Sequence, residues 1–334
     1  LGTLMLATTS QHDRVTEIDF LRFGAAIAVA FFHYAFRGYV ADGMSILPYP
    51  ELAPVAKYGY LGVELFFMIS GFVILMTAAT GTLRRFFVSR IARLYPAFWV
   101  CCTLTFLTIL AIGQERYSAS LYQYLVNLTM FSNIARVPPI DGVYWSLFVE
   151  LRFYALVVLV LVLRRIHHAQ GFLVAWLVLT IALDLWPVKS LRWIFLADYA
   201  VYFIAGATMY LTWSKGASLI RLSVIVATWF VALRQALARV EELEQQFGTD
   251  YDGYVVMGVV SAFFVIMSLV SLRKTARFGH PLWVVVGALT YPFYLLHQNI
   301  GFMIFNVGYP AINRHLLLWG TLAVMVGLSY AVHV

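Results

Sequence analysis

Apolar residues fall along this chain in runs of roughly 17 to 24 positions, the length a helix needs to cross a bilayer, with short polar stretches between them. The runs predict ten spans, near 18–37, 59–79, 94–112, 144–163, 171–187, 193–212, 219–233, 254–272, 281–304 and 316–334. The expected fold class is all-α: a polytopic membrane helical bundle of about ten transmembrane helices. Two stretches between spans are more than plain loops. Residues 233–247 place Leu233, Leu237, Val240, Leu243 and Phe247 among Arg and Glu, which predicts an amphipathic helix lying at the outer interface. Residues 117–133 are aromatic and weakly apolar, and predict an interfacial or re-entrant piece covering a site.

Composition agrees with the pattern. Of 334 residues 62% are hydrophobic and 12% charged, and the mean hydropathy is +0.82, far above what a soluble core requires. The net charge of +7 would suit nucleic acid, but the basic residues sit in short clusters between apolar runs, as orientation signals do, so nucleic-acid binding is excluded. With both termini inside, the inner segments hold most of the Lys and Arg, and the expected orientation has a cytoplasmic N-terminus. Residues 1–17 are polar and lack the apolar core and cleavage site of a signal peptide, so they predict a cytoplasmic segment preceding a retained first span. The expected organisation is a single membrane domain over 1–334. Cys101 and Cys102 are adjacent within an apolar run, which offers neither a disulfide framework nor metal-ligand spacing and points to core filler; no metal is expected.

Polar residues inside the spans carry the functional signal. Arg22 and His33 share one face of the first helix, roughly 16 Å apart along its axis. Ionisable groups at such depth are costly unless they face a bundle interior or a water-filled path. Counted from their own helix ends, His33, Glu64, Glu150 and His297 all lie roughly 7 to 10 Å below the outer surface, which predicts one shared chemical layer. Helical spacing adds Ser146 and Tyr154 to the Glu150 face, Thr290 and Tyr294 to the His297 face, and Arg37 one turn beyond His33. At the inner end Asp19 and Arg22 are neighbours, and a loop carrying Arg84, Arg85, Arg90 and Arg93 before Pro96 suits a phosphate-rich ligand. That loop also has a plainer reading as a positive-inside anchor, and Glu64 and Glu150 one as structural acids paired to arginine.

These residues resemble a known family. The run EIDFLRFGAAIAVAFFHY, with Arg22 and His33 separated by ten residues, resembles the first helix of the acyltransferase-3 family of integral membrane acyltransferases. It is followed in the family's order by GYLGVELFFMISGF with Glu64 and Ser70-Gly71-Phe72, and by FFVSRIARLYP with Arg90 and Arg93. YWSLFVELRFY with Trp145, Ser146 and Glu150, and LTYPFYLLH with Tyr294 and His297, complete the set. One departure stands out: the family's motif continues with a second acid, where this chain has Leu151.

The resemblance implies a ten-helix enzyme of a bacterial inner membrane. It would move an acyl group, usually acetyl, from cytoplasmic acyl-coenzyme A to a sugar hydroxyl of an exported glycan or lipid-linked saccharide. It resembles the stand-alone type without a periplasmic hydrolase-like domain, similar to polysaccharide O-acetyltransferases. Acetyl-CoA phosphates would then dock at Arg22, Arg84, Arg85, Arg90 and Arg93 with Ser70 nearby, while the pantetheine arm reaches the outer layer. There His33 accepts the proton of the attacking hydroxyl, with Glu150, His297 and Glu64 as further catalytic candidates and Glu150 a candidate to hold the His33 tautomer. Arg37, Trp145 and Tyr294 are the expected acceptor contacts. An acetyl-histidine intermediate is a second route. From another class, a proton-coupled transporter or exporter would also place His and Glu at mid-membrane, although the chain shows no internal repeat.

Overall fold

The computed structural model describes residues 15–113 and 115–333 and contains helices and turns with no strand among them. Residues 1–14, most of the expected cytoplasmic segment, lie outside the described residues. Ten long helices and two short ones follow one another: α1 Thr16–Val40, α2 Ala53–Thr80, α3 Leu83–Ile112, α4 Leu121–Asn127, α5 Tyr144–Val162, α6 Ile166–Leu185, α7 Lys189–Ile194, α8 Ala200–Lys215, α9 Leu219–Phe247, α10 Gly253–Ser271, α11 Pro281–Gly308 and α12 Arg314–His333. Each of the ten expected spans falls mainly on one of the long helices. Eight of these, all but α8 and α11, are long and apolar enough to cross a membrane.

The two exceptions form the interior of the bundle. α8 buries all but the last three of its residues and packs along α2, with α6, α9 and α10 around it. Its approach to α2 is backbone-close: a Cβ on Gly206 would strike the Met68 carbonyl, and one on Gly71 would strike the Phe203 carbonyl. Small residues at such a crossing replace the hydrophobic drive that lipid removes. α11 packs against α1, α3 and α12. It misses the apolar criterion because its middle carries Thr290, Tyr294, His297, Gln298 and Asn299, of which all but Asn299 are buried.

Three expectations need correction. Arg84 to Arg93 do not form a loop: they are the first turns of α3, started by Thr82, whose hydroxyl accepts from the Arg85 amide at 3.3 Å, and Pro96 lies inside the helix. Residues 233–247 are not a separate interfacial helix but the second half of α9, whose Ala236, Val240, Leu243 and Phe247 are buried. Phe247 stands 5.9 Å from Phe36 and 6.4 Å from Phe32, ring to ring, so the apolar face meets α1 rather than lipid headgroups. The span expected from 193 begins at Ala200, after the short α7. The 117–133 stretch contains only α4 as a helix and is held to the loop after α1 by the Tyr117 hydroxyl, which donates to the Met44 carbonyl at 2.9 Å. Cys101 and Cys102 are both fully buried and unpaired with each other.

Candidate active site

α1, α2, α3, α5 and α11 surround a cavity of about 80 Å³ whose polar lining is Arg22, Ser70, Arg93, Ser146, Glu150, Tyr154, Thr290, Tyr291 and Tyr294. One ordered water needs roughly 10–15 Å³ of such space, so there is room for a group the size of a thioester head. Glu150 is anchored by two hydroxyls: Ser70 donates to its Oε1 at 2.8 Å and Tyr154 at 2.6 Å. Arg22, nearly two turns inside α1, feels the charges of Arg93, Glu150 and Asp19. Two guanidiniums and a carboxylate therefore face one small space. Ser146 and Tyr294 exchange a hydroxyl hydrogen bond at 2.8 Å on its far wall.

Beyond Tyr294 lies a buried histidine pair. His297 Nε2 is 3.0 Å from His33 Nδ1. His33 Nδ1 also lies 2.9 Å from the Val29 carbonyl, and His297 Nδ1 lies 2.8 Å from the Tyr294 carbonyl. A carbonyl oxygen only accepts, so each Nδ1 carries a proton. The one hydrogen on His33 Nδ1 is then shared between the Val29 carbonyl and His297 Nε2, and His33 Nε2 is left with a free lone pair. A π-turn over His33–Arg37 brings this about: it widens α1 where the imidazole leaves the helix, a distortion common at functional sites. The Tyr34 hydroxyl donates to the His297 carbonyl at 2.6 Å and fixes the other side of the pair.

The single layer of four titratable groups is thus divided. His33 and His297 meet, but Glu150 is held by Ser70 and Tyr154, and the groups found at His33 Nδ1 are the Val29 carbonyl and His297 rather than Glu150. Glu64 sits apart: it interacts with Arg239 of α9, and its Oε2 and the Tyr60 hydroxyl find no hydrogen-bond partner among the described residues. Val63, Phe66, Phe67 and Ser70 of α2 line the cavity, and Glu64 is one residue, about 100°, round the helix from Val63. Among the arginines, Arg93 joins Arg22 in the cavity, and Arg90 lies beside Tyr154 and over the Phe86 ring at 5.8 Å. Arg84 and Arg85 are exposed and do not line the cavity. Arg37 pairs with Asp42 at 2.8 Å. Trp145 packs on Tyr199 at 5.6 Å and Phe67 at 6.3 Å, outside the cavity wall.

Asp141 escaped the sequence reading. It is fully buried in the loop before α5, accepting from the Asn299 amide at 2.9 Å and the Val143 amide at 3.1 Å, while Asn299 Nδ2 returns to the Ile140 carbonyl at 2.9 Å. This staple ties the loop to α11 two residues beyond His297. Burial pushes the Asp141 carboxyl up to about 7, against the pull of the two amides. An acid in a Pro-Pro-Ile-Asp-Gly turn was the available signal, and it reads equally well as an ordinary turn residue. Arg239 was masked similarly, as one charge among many on an amphipathic stretch.

Fold and site together define a polytopic helical membrane protein with ionisable chemistry inside its bundle. A family model described as "Acyltransferase domain" matches residues 15–334, and the chain belongs to this acyltransferase-3 family. Membership places it with acyltransferases rather than transporters. Among curated proteins it is 27% identical over 169 residues to "Putative acetyltransferase ORF330" of Acidianus two-tailed virus, covering 50% of this chain and 46% of that one. It is 30% identical over 183 residues to "Nodulation protein 10" of Rhizobium leguminosarum bv. viciae, covering 48% of each. The aligned region spans about half the length of these relatives. No solved structure gives a significant match.

Proposed function

We propose that the protein transfers an acetyl group from acetyl-CoA to a hydroxyl of an exported glycan or lipid-linked saccharide. In this reading it sits in a bacterial inner membrane with a cytoplasmic N-terminus. The observation that carries the proposal is the adjacency of the arginine-lined cavity to the histidine pair, joined through Tyr294, whose ring lies 5.5 Å from that of His297. Arg22 and Arg93 supply fixed positive charge for a donor that carries phosphates. His33 Nε2, with its lone pair free, takes the proton of the acceptor hydroxyl as oxygen attacks the thioester carbon. The positive charge that appears on His33 is stabilised through its Nδ1–H by His297. Collapse of the tetrahedral intermediate breaks the carbon–sulfur bond, and the proton passes from His33 to the departing thiolate, leaving an O-acetyl ester and free coenzyme A. Ser146, Tyr294 and Thr290 place hydroxyls on the cavity wall where oxyanion charge would develop; Ser146 now donates to the Val143 carbonyl, Tyr294 to Ser146 and Thr290 to the Val286 carbonyl, so each would turn its hydrogen toward that charge to stabilise it. Arg37 and Trp145 remain the proposed contacts for acceptor near the outer mouth.

The deciding experiment incubates purified protein with radiolabelled acetyl-CoA, with and without candidate glycans. Label appearing in glycan, with release of one coenzyme A per acetyl transferred, supports the proposal. Failure to bind or consume acetyl-CoA would overturn it.

A further inference from the structure

A second cavity, of about 300 Å³, lies between α5 and α6 with Leu75 of α2 and Ala207 of α8 as its floor. Its walls are apolar throughout, and the one polar atom among its larger rings, Trp176 Nε1, already donates to the Phe195 carbonyl at 2.8 Å. Along α5 it runs from Phe153 to Leu163, roughly 15 Å at the helical rise, which accommodates a long stretch of one hydrocarbon chain. In a bilayer such a groove gains little by burying hydrocarbon alone, because the surrounding lipid is equally apolar. Selectivity must come from its ends.

One end is defined by Leu163, Ile166 and Ala169. Between the first two stand Arg164 and Arg165, both exposed. Arg221 of α9 reaches the same turn, bonding Gln170 Oε1 at 3.0 Å, and Lys215 ends the neighbouring α8. No Asp or Glu occurs in the sequence between Glu150 and Asp184 or between Asp198 and Glu241. Among the described residues none of these four cations forms an ion pair. An apolar slot that holds a long stretch of a lipid tail therefore opens beside unneutralised cations with no carboxylate on the local chain.

We propose that this groove binds an anionic phospholipid, its acyl chain lying between α5 and α6 and its phosphate against Arg164 and Arg165. The site is separate from the acyl-transfer cavity: the two share no lining residue, and on α5 the groove begins at Phe153, about one turn beyond Glu150. The bound lipid would brace the helix that carries Glu150.

The test is native mass spectrometry of the full chain released from nanodiscs of equimolar phosphatidylglycerol and phosphatidylcholine with identical acyl chains. Expected are preferential retention of phosphatidylglycerol, at least fivefold loss of that preference in Arg164→Gln/Arg165→Gln, and lower retention of both lipids in Ala175→Trp, which fills the groove from an exposed position. A Lys274→Gln/Arg277→Gln control removes basic charge from another turn and should leave the preference intact. Equal retention of the two lipids by the unmodified protein, or equal loss of preference in the control, would overturn the proposal. So would competition by millimolar glycerol 3-phosphate, which would make the turn a site for soluble phosphate. All variants are exposed-residue changes, and matching melting temperatures verify folding before the comparison.

Discussion

Substituting His297 tests the reasoning at its most specific point. His33 Nδ1 and His297 Nε2 are 3.0 Å apart and both rings are buried, so removing His297 leaves the Nδ1–H only the Val29 carbonyl, 2.9 Å away, and no solvent. The bond is neutral at rest and becomes charge-assisted when His33 takes a proton in the transition state. Hydrogen bonds to charged groups contribute about 1.5–3 kcal/mol. At about 1.36 kcal/mol per factor of ten, losing this one should lower kcat by roughly 10- to 150-fold. Removing His33 itself should cost about 10² to 10⁴. Alanine would confound the measurement with a cavity, because the His297 ring stacks on Phe293 at 5.8 Å. His297→Phe keeps the volume and loses the acceptor, whereas His297→Gln keeps an acceptor oxygen. The expected order of kcat is wild type, Gln, Phe, then His33→Ala. KM for acetyl-CoA should stay level in both His297 variants, since His297 does not line the arginine cavity. Steady-state transfer of radiolabel by purified protein reads both parameters. A His297→Phe enzyme within twofold of wild type, or one altered only in KM, would refute the relay.

Further expectations follow from the geometry. Arg22→Ala and Arg93→Ala should each weaken coenzyme A binding by about 1.5–3 kcal/mol in isothermal calorimetry, and Arg84→Ala and Arg85→Ala by much less; equal effects at all four positions would remove the cavity from the argument. Gly71→Ala should destabilise the bundle by about 1–3 kcal/mol through collision with the Phe203 carbonyl, visible as a lower melting temperature; a wild-type melting curve counts against the close α2–α8 crossing. The Asp141 carboxyl, held up to about 7 when folded, binds its proton more tightly in the native than in the unfolded chain. Its contribution is therefore full below about pH 4 and lost as pH rises to 7, about 4 kcal/mol in all. Melting temperature should fall between about pH 4 and 7, and Asp141→Asn should flatten that slope; an unchanged slope would mean another group is responsible. In a background lacking Cys101 and Cys102, an impermeant thiol reagent on intact cells should label a cysteine at position 136 and not one at position 85, and the reverse would invert the orientation.

The sequence by itself determined the helical class, the approximate place of each span and the polar residues that do not belong in lipid. Those properties are local: run length sets whether a helix can span, and hydrocarbon excludes unpaired charge wherever it occurs along the chain. Position along its own predicted span is also legible, because a helix rises by a fixed amount per residue. Direction is not. The predicted spans put Glu64 and Glu150 at similar heights, yet Glu150 lines the cavity with Arg22 and Arg93 while Glu64 does not and interacts with Arg239. The rotation of each helix about its axis depends on side-chain packing between segments far apart in the chain, such as Gly71 and Gly206 closing α2 onto α8. Whether 233–247 lay on the membrane or packed on α1 was equally invisible, since one apolar stripe serves both. Only the tertiary structure put His33 against His297, across 264 positions of sequence, and a bond of 3.0 Å between two helices is not implied by either helix alone.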